Sequence, residues 1–322
     1  MNQVWEEIEQ LLVHKDRVIT EIEGNNPGPA IAFCAGLHGN EPSGVLALKE
    51  VFETIQKENI PVNGKLIAFI GNRNALHNKE RYAEDDLNRM WTKENVDKLH
   101  NIGFDKHELN PEILEMIEID DLLKKFICCL EGEDRFFIDL HTTSAPSVPF
   151  AAIDKQPLSY SLALKLPIPF VSNLDDFIKG TLMYYLDHIK FRALVFEAGM
   201  HDDPASIQKQ EALIWLVLGL AGAIEKENIP NYEGCFTLLQ GLSEHPHKVF
   251  NILYRHNVED NSKFQMIPGF INFQLVEEGS ALAIHNDKEV VAPYSGNIFM
   301  PLYQNQGGDG FFIIERTDKY HR

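Results

Sequence analysis

The 322-residue sequence predicts an α/β protein: a mixed, largely parallel sheet flanked by helices, then a C-terminal all-β domain. Three observations predict it. Continuous apolar runs at 30–35, 66–70 and 136–138 alternate with amphipathic helical segments, the pattern of strand–helix–strand crossovers. Those runs end in glycine-rich or polar corners that carry His, Glu and Asp, where open α/β sheets place their ligands. Beyond Ile229-Pro230-Asn231 the pattern changes to short alternating runs separated by Gly, Asn and Asp. The expected division is therefore 1–229 and 230–322.

Residues 1–14 carry apolar side chains at helical spacing (Val4, Ile8, Leu11, Leu12), and 18–22 alternate like a short strand. After the turn Asn25-Asn26-Pro27-Gly28 comes the strand 30–35, a glycine-rich corner with Gly36 and Gly39, and a helix over 42–57. The run 66–70 closes that unit. A helix is expected over 111–130, strands at 135–140 and 192–198, and a long helix over 204–228. In the last ninety or so residues the expected strands are 249–254, 270–276, 281–284, 296–303 and 310–314.

Composition narrows the function classes. Hydrophobic and charged fractions of 44% and 24% are those of an ordinary globular chain. A net charge of −19 argues against nucleic acid or an anionic membrane as a partner, since both need a basic footprint. No apolar stretch reaches membrane-spanning length, 212–224 reading as a buried helix. Residues 1–15 lack the basic and apolar regions of a signal peptide. Four cysteines, with Cys128 and Cys129 adjacent, form neither a disulfide framework nor a metal motif, so a reducing, cytoplasmic setting is expected. A homo-oligomer is left open.

The chemistry concentrates in the corners. His38 and Glu41, three positions apart beside two glycines, offer an imidazole nitrogen and a carboxylate, both good Zn²⁺ donors. A lone His-x-x-Glu also recurs in surface helices; here the strand–turn–helix context favours a ligand pair. His141 at the tip of the 135–140 strand supplies the third ligand that a catalytic zinc needs. Asp139, two residues earlier, shares its side of the strand and is placed to orient a histidine. Glu197 ends an apolar strand, where a carboxylate is costly unless paired; beside a metal it becomes the general base. Arg73, Arg81 and Arg89 each read singly as surface arginines, and together as a carboxylate-recognition set. His245-Pro246-His247 puts two rings on one side without a third donor. His77, His188, His201, His256 and His285 read as surface or hydrogen-bonded histidines, and Cys34 as a small buried hydrophobe.

The ordered set Gly36-Leu37-His38-Gly39-Asn40-Glu41, Arg81-Tyr82, Asp86-Leu87-Asn88-Arg89, Asp139-Leu140-His141-Thr142 and Phe196-Glu197-Ala198-Gly199 resembles the succinylglutamate desuccinylase/aspartoacylase family. That family is related in fold to the zinc carboxypeptidases. The resemblance implies one Zn²⁺ per subunit on His38, Glu41 and His141, with catalytic Glu197. It also implies recognition of carboxylate or carbonyl by Arg81, Asn88 and Arg89, and a tyrosine offered by the C-terminal domain, for which Tyr303 is the candidate. The implied reaction is removal of an acyl group, acetyl- or succinyl-like, from a small anionic N-acyl amino acid by metal-activated water. The chain departs from aspartoacylases at an arginine they carry shortly before the catalytic Glu: Asp187 and His188 stand there. Two further readings share the residues: a carboxypeptidase-type metallopeptidase and a non-catalytic binding protein of the same fold.

Overall fold

The computed structural model describes residues 2–13, 16–128, 134–153, 157–243 and 246–317. In chain order the elements are α1 (Asn2–Val13), β1 (Val18–Glu23), β2 (Asn26–Ala35), α2 (Ser43–Lys57), β3 (Asn63–Ile70), α3 (Arg73–Asn78), α4 (Lys93–Asp97) and α5 (Pro111–Ile127). They continue with β4 (Arg135–Thr143), β5 (Phe150–Ile153), α6 (Pro157–Ala163), β6 (Phe170–Val171), α7 (Leu174–Phe177), α8 (Leu182–His188), β7 (Arg192–Met200), α9 (Ala205–Leu220) and α10 (Tyr232–Gly241). The remaining strands are β8 (Val249–Asn257), β9 (Phe264–Met266), β10 (Leu275–Val276), β11 (Ala281–His285), β12 (Lys288–Val291), β13 (Gly296–Phe299) and β14 (Asp309–Thr317).

Among the described residues, one sheet runs β1-β3-β2-β4-β7-β5-β6-β8-β14-β13-β10, and a second, antiparallel one runs β12-β11-β9. The ladders β3-β2-β4-β7 are parallel; β1 and β5 join them antiparallel. The fold is thus the mixed α/β sheet with a small C-terminal antiparallel sheet. The two chain segments share the large sheet, because β6 pairs with β8 in parallel register.

Burial on both faces explains the continuous apolar runs. In β2, Ile31, Phe33 and Ala35 pack with α2 and α9, whereas Ala30, Ala32 and Cys34 pack with α5 and α8. β3 divides the same way, with Leu66, Ala68 and Ile70 on one side and Ile67 and Phe69 on the other. The second face, which also carries Asp139 and Glu197, is where the site lies.

Three sequence expectations change. The helix expected over 204–228 stops at Leu220, where Gly222 turns the chain at φ +80°. The segment after Asn231 opens with a helix, α10, rather than with strands. Its Tyr232, Cys235, Phe236 and Leu239 fall at i, i+3, i+4 and i+7 and pack against the core that holds α9, a helical period present in the sequence. Of the expected strand at 270–276, Leu275 and Val276 alone pair in a ladder.

Candidate active site

The carboxyl ends of β2, β4 and β7 lie side by side, and each delivers a polar group to one cavity. After β2 the chain turns at Gly36, φ +67°, and passes so close to α3 that a Cβ on Gly39 would sit 2.0 Å from the Ala75 carbonyl carbon. His38 and Glu41 occupy this corner, directly ahead of α2, at 5% and 2% exposure.

Glu41 reaches across to β4. Its Oε1 lies 2.9 Å from His38 Nδ1, and its Oε2 lies 3.1 Å from His141 Nδ1. The β4–β7 ladder shifts register between His141 and Thr143, and the Thr142 N–H there donates to Glu41 Oε2 at 2.9 Å. The opposite ring nitrogens face carboxylates: His38 Nε2 lies 3.4 Å from Asp86 Oδ1, and His141 Nε2 lies 3.0 Å from Asp139 Oδ2. Among the described residues, His38, Glu41 and His141 form the one group of three donors, mutually within 4.8 Å, that could hold a metal ion. Two imidazole nitrogens and one carboxylate oxygen, with a carboxylate behind each ring, fit the donor chemistry of such an ion.

Charge follows from this packing. Burial works to raise the Glu41 carboxyl, but the imidazoles of His38 and His141 outweigh it and hold it well below the carboxylate range. For His141, burial disfavours the charged ring, while Asp139 and Glu41 outweigh it and lift the ring well above its usual range. Glu197, in register with His141, is 7% exposed and has an Oε2 without a hydrogen-bond partner. Burial, with the charge of Glu41 adding, pushes its carboxyl up to about 8.

The loop after α3 brings the arginines. Arg81 donates from Nε and Nη2 to Asp86 Oδ2 at 3.1 and 2.9 Å, and its Nη1 lies 3.9 Å from Glu41 Oε1. Burial opposes the Asp86 charge, and Arg81 and then His38 overcome that, holding its carboxyl well below the usual range. The backbone of this loop is fixed by Glu112 of α5. That fully buried carboxylate accepts N–H bonds from Ala83, Glu84 and Asp85 at 2.8, 3.2 and 3.3 Å, and one from Asn72 Nδ2. Arg89 Nη2 donates to Asp309 Oδ2 at 2.5 Å, and Asn88 Oδ1 accepts from the Leu182 amide.

A family model described as the Succinylglutamate desuccinylase/Aspartoacylase catalytic domain matches residues 27–218. The chain belongs to this family. Among curated relatives, the succinylglutamate desuccinylase of Pseudomonas fluorescens is 28% identical over 120 residues, 37% of this chain and 33% of that protein. That of Serratia proteamaculans is 27% identical over 113 residues, 35% of this chain and 32% of the relative. These matches therefore span about a third of the relatives' own length. Among solved structures, a succinylglutamate desuccinylase/aspartoacylase from Rhodobacter sphaeroides superposes with a TM-score of 0.65 at 16% identity, covering 93% of this chain and 88% of that one. The product-bound ectoine utilization protein EutE from Ruegeria pomeroyi gives 0.63 at 18%, covering 92% and 87%. At these identities the likeness is one of fold.

Within the stretch that the family model matches, the structure brings His38, Glu41, Arg81, Asn88, Arg89, Asp139, His141 and Glu197 to one cavity of about 970 Å³, its open mouth included. Arg73 and Tyr303 are not among its lining residues. Arg73 begins α3, and the Tyr303 hydroxyl is engaged inside the C-terminal segment, donating to Ile267 O at 2.8 Å and accepting from the Phe270 amide at 3.0 Å. His245 lies outside the described residues, as does Cys129. Among the cavity residues that carried no expectation there are His201 and Asp309. His201, read as a surface or hydrogen-bonded ring, meets Thr142 Oγ1 at 2.8 Å and Gln304 Oε1 at 3.2 Å, and burial lowers its pKa. It directly follows β7, so the strand-end rule that picked out Glu197 could have found it. Asp309 lies far along the chain, and no local pattern ties it to Arg89.

Proposed function

We propose that this chain is a zinc-dependent amidohydrolase of the cytoplasm that removes the acyl group from a small anionic N-acyl amino acid. The observation that carries the reading is the convergence of His38 and Glu41, from the corner after β2, with His141 of β4, and the buried, partnerless Glu197 oxygen of β7 beside them. A Zn²⁺ held by the three side chains would polarise a carbonyl and bring the acidity of water near neutrality.

The protein's own groups account for the rest. Glu197 takes the proton of the attacking water and passes it to the leaving amine, needing no enzyme nucleophile. Arg81, with Nη1 turned toward Glu41 and its other donors pinned on Asp86, stabilises the developing oxyanion. Asp86 and Asp139, which face the two Nε2 atoms, would hold the rings with Nδ1 left for the ion. Asn88 and Arg89 face the substrate carboxylate. The domain division at 229/230 belongs to the same proposal: residues 230–322 supply wall and mouth, while 1–229 supply the chemistry.

Zinc-reconstituted protein assayed on N-acyl amino acids and on short peptides tests the reading. We expect acyl amino acids to be preferred. Glu197→Gln should keep stoichiometric zinc and lose about 10³-fold in turnover. Preferred peptide cleavage, or a Glu197→Gln variant near the parent rate, overturns it.

A further inference from the structure

Strand register lays out the cavity floor. One row across the sheet reads His141, Glu197, Phe150, and the next reads Asp139, Val195, Ala152. Alternate residues share a face, so both rows begin beside the candidate ligand cluster on β4; the second turns apolar at Val195 of β7 and the first, past Glu197, at Phe150 of β5. Leu174, Ile178 and Met183 continue the apolar lining from the helical side, and Phe299 and Met300 from the C-terminal segment. Phe150 meets Phe299 edge-on at 4.9 Å, and both rings pack against Phe273 at 5.6 and 5.7 Å. Phe150 and Phe299 thus form a close-packed aromatic wall backed by Phe273.

Cationic charge is confined and already matched. Among the described residues that line the cavity the arginines are Arg81 and Arg89, and no lysine joins them. Arg81 is held by Asp86, and Arg89 by Asp309, which Arg255 Nε also engages at 2.5 Å. The segment that precedes β7 contributes Thr181 and Met183 to the lining rather than Asp187 or His188. A substrate with carboxylates at both ends would press one of them against Phe150 and Met183 without a partner, which desolvation penalises.

We infer that the substrate carries one carboxylate and, elsewhere on the amide, a bulky apolar group, aliphatic or aromatic, that occupies the Phe150–Met183 end. The inference rests on the amidohydrolase reading. The apolar group has two chemical sources, the acyl chain or the amino-acid side chain, and the substrates chosen separate them.

The test compares kcat/KM of zinc-reconstituted protein on N-hexanoylglycine, N-acetylleucine, N-acetylphenylalanine, N-acetylaspartate and N-succinylglutamate. At least one apolar compound should exceed both polyanionic ones by about 30-fold or more, the worth of a few buried methylenes. Hexanoylglycine leading assigns the apolar end to the acyl chain; acetylleucine or acetylphenylalanine leading assigns it to the side chain. Leu174→Arg, at a half-buried position, should shift the ratio of succinylglutamate to the best apolar substrate by at least about 10-fold toward the anion. Equal or faster turnover of the polyanions, or a ratio that Leu174→Arg does not move, overturns the inference. If no amide is hydrolysed, the proposed function has failed, and calorimetric binding of the same compounds to zinc-loaded protein decides the apolar end alone. Tighter binding of the apolar compounds then supports it, and tighter binding of succinylglutamate overturns it.

Discussion

Glu197 stands in register with His141 on the neighbouring parallel strand, while Glu41 reaches the same histidine from the corner that follows β2. The proposed base and a proposed ligand are thus fixed relative to each other by the backbone ladder rather than by loops. Ladder spacing tolerates little adjustment, so the site's chemistry can be perturbed by substitution without moving its frame.

Burial pushes Glu197 up to about 8 in the metal-free protein, against about 4.3 for an unfolded glutamate. Between those values the folded chain keeps a proton that the unfolded chain has lost. The contribution of Glu197 to the stability of the metal-free protein should therefore fall as pH rises from about 4.3 to about 8. Glu197→Gln removes that loss and should gain on the order of 2–4 kcal/mol over the parent at pH 9, compared with pH 4.5. Denaturant melts of both metal-free proteins at the two pH values check it.

Orientation of the ligand rings is tested at Asp86 and Asp139. Each lies behind a histidine, at 3.4 and 3.0 Å from Nε2. Asp86→Asn and Asp139→Asn should each weaken zinc binding by about 10- to 100-fold, read by competition with a chromogenic chelator. Asp86→Asn should also lower kcat more than Asp139→Asn, because it releases the Arg81 guanidinium as well.

Glu112 holds the backbone of the loop that carries Arg81 and Asp86. Glu112→Gln replaces one acceptor oxygen with a donor facing amides that also donate. A loss of about 2–3 kcal/mol in unfolding free energy is expected, together with a fall in kcat/KM, since the loop backbone loses its anchor. Unfolding free energy equal to the parent's would contradict the accounting.

Tyr303 separates the reading by resemblance from the reading by contact. Its hydroxyl is engaged with Ile267 and Phe270 and does not line the cavity. Tyr303→Phe should leave kcat/KM within about twofold and cost about 1–3 kcal/mol of stability, the worth of its two hydrogen bonds. A hundredfold loss of turnover would show that the hydroxyl reaches the substrate after all.

The α/β class, the parallel strands and the corner with His38 and Glu41 were legible in the sequence because each is local. Period-two burial on both faces writes continuous apolar runs, and glycines mark where the chain must turn or approach closely. The helix α10 is equally local, its period masked by the adjacent Ile229-Pro230-Asn231 break. What the sequence by itself determined is which residue types stand at the ends of which strands. Only the tertiary structure decided which of them meet, since parallel pairing joins residues such as His38 and His141 that lie far apart in the chain. It likewise decided that Arg73 stays outside the cavity while Arg89 meets Asp309, and that β5 lays Phe150 beside Glu197. The physical reason is that sheet order and register set those distances, and both follow from packing the whole core.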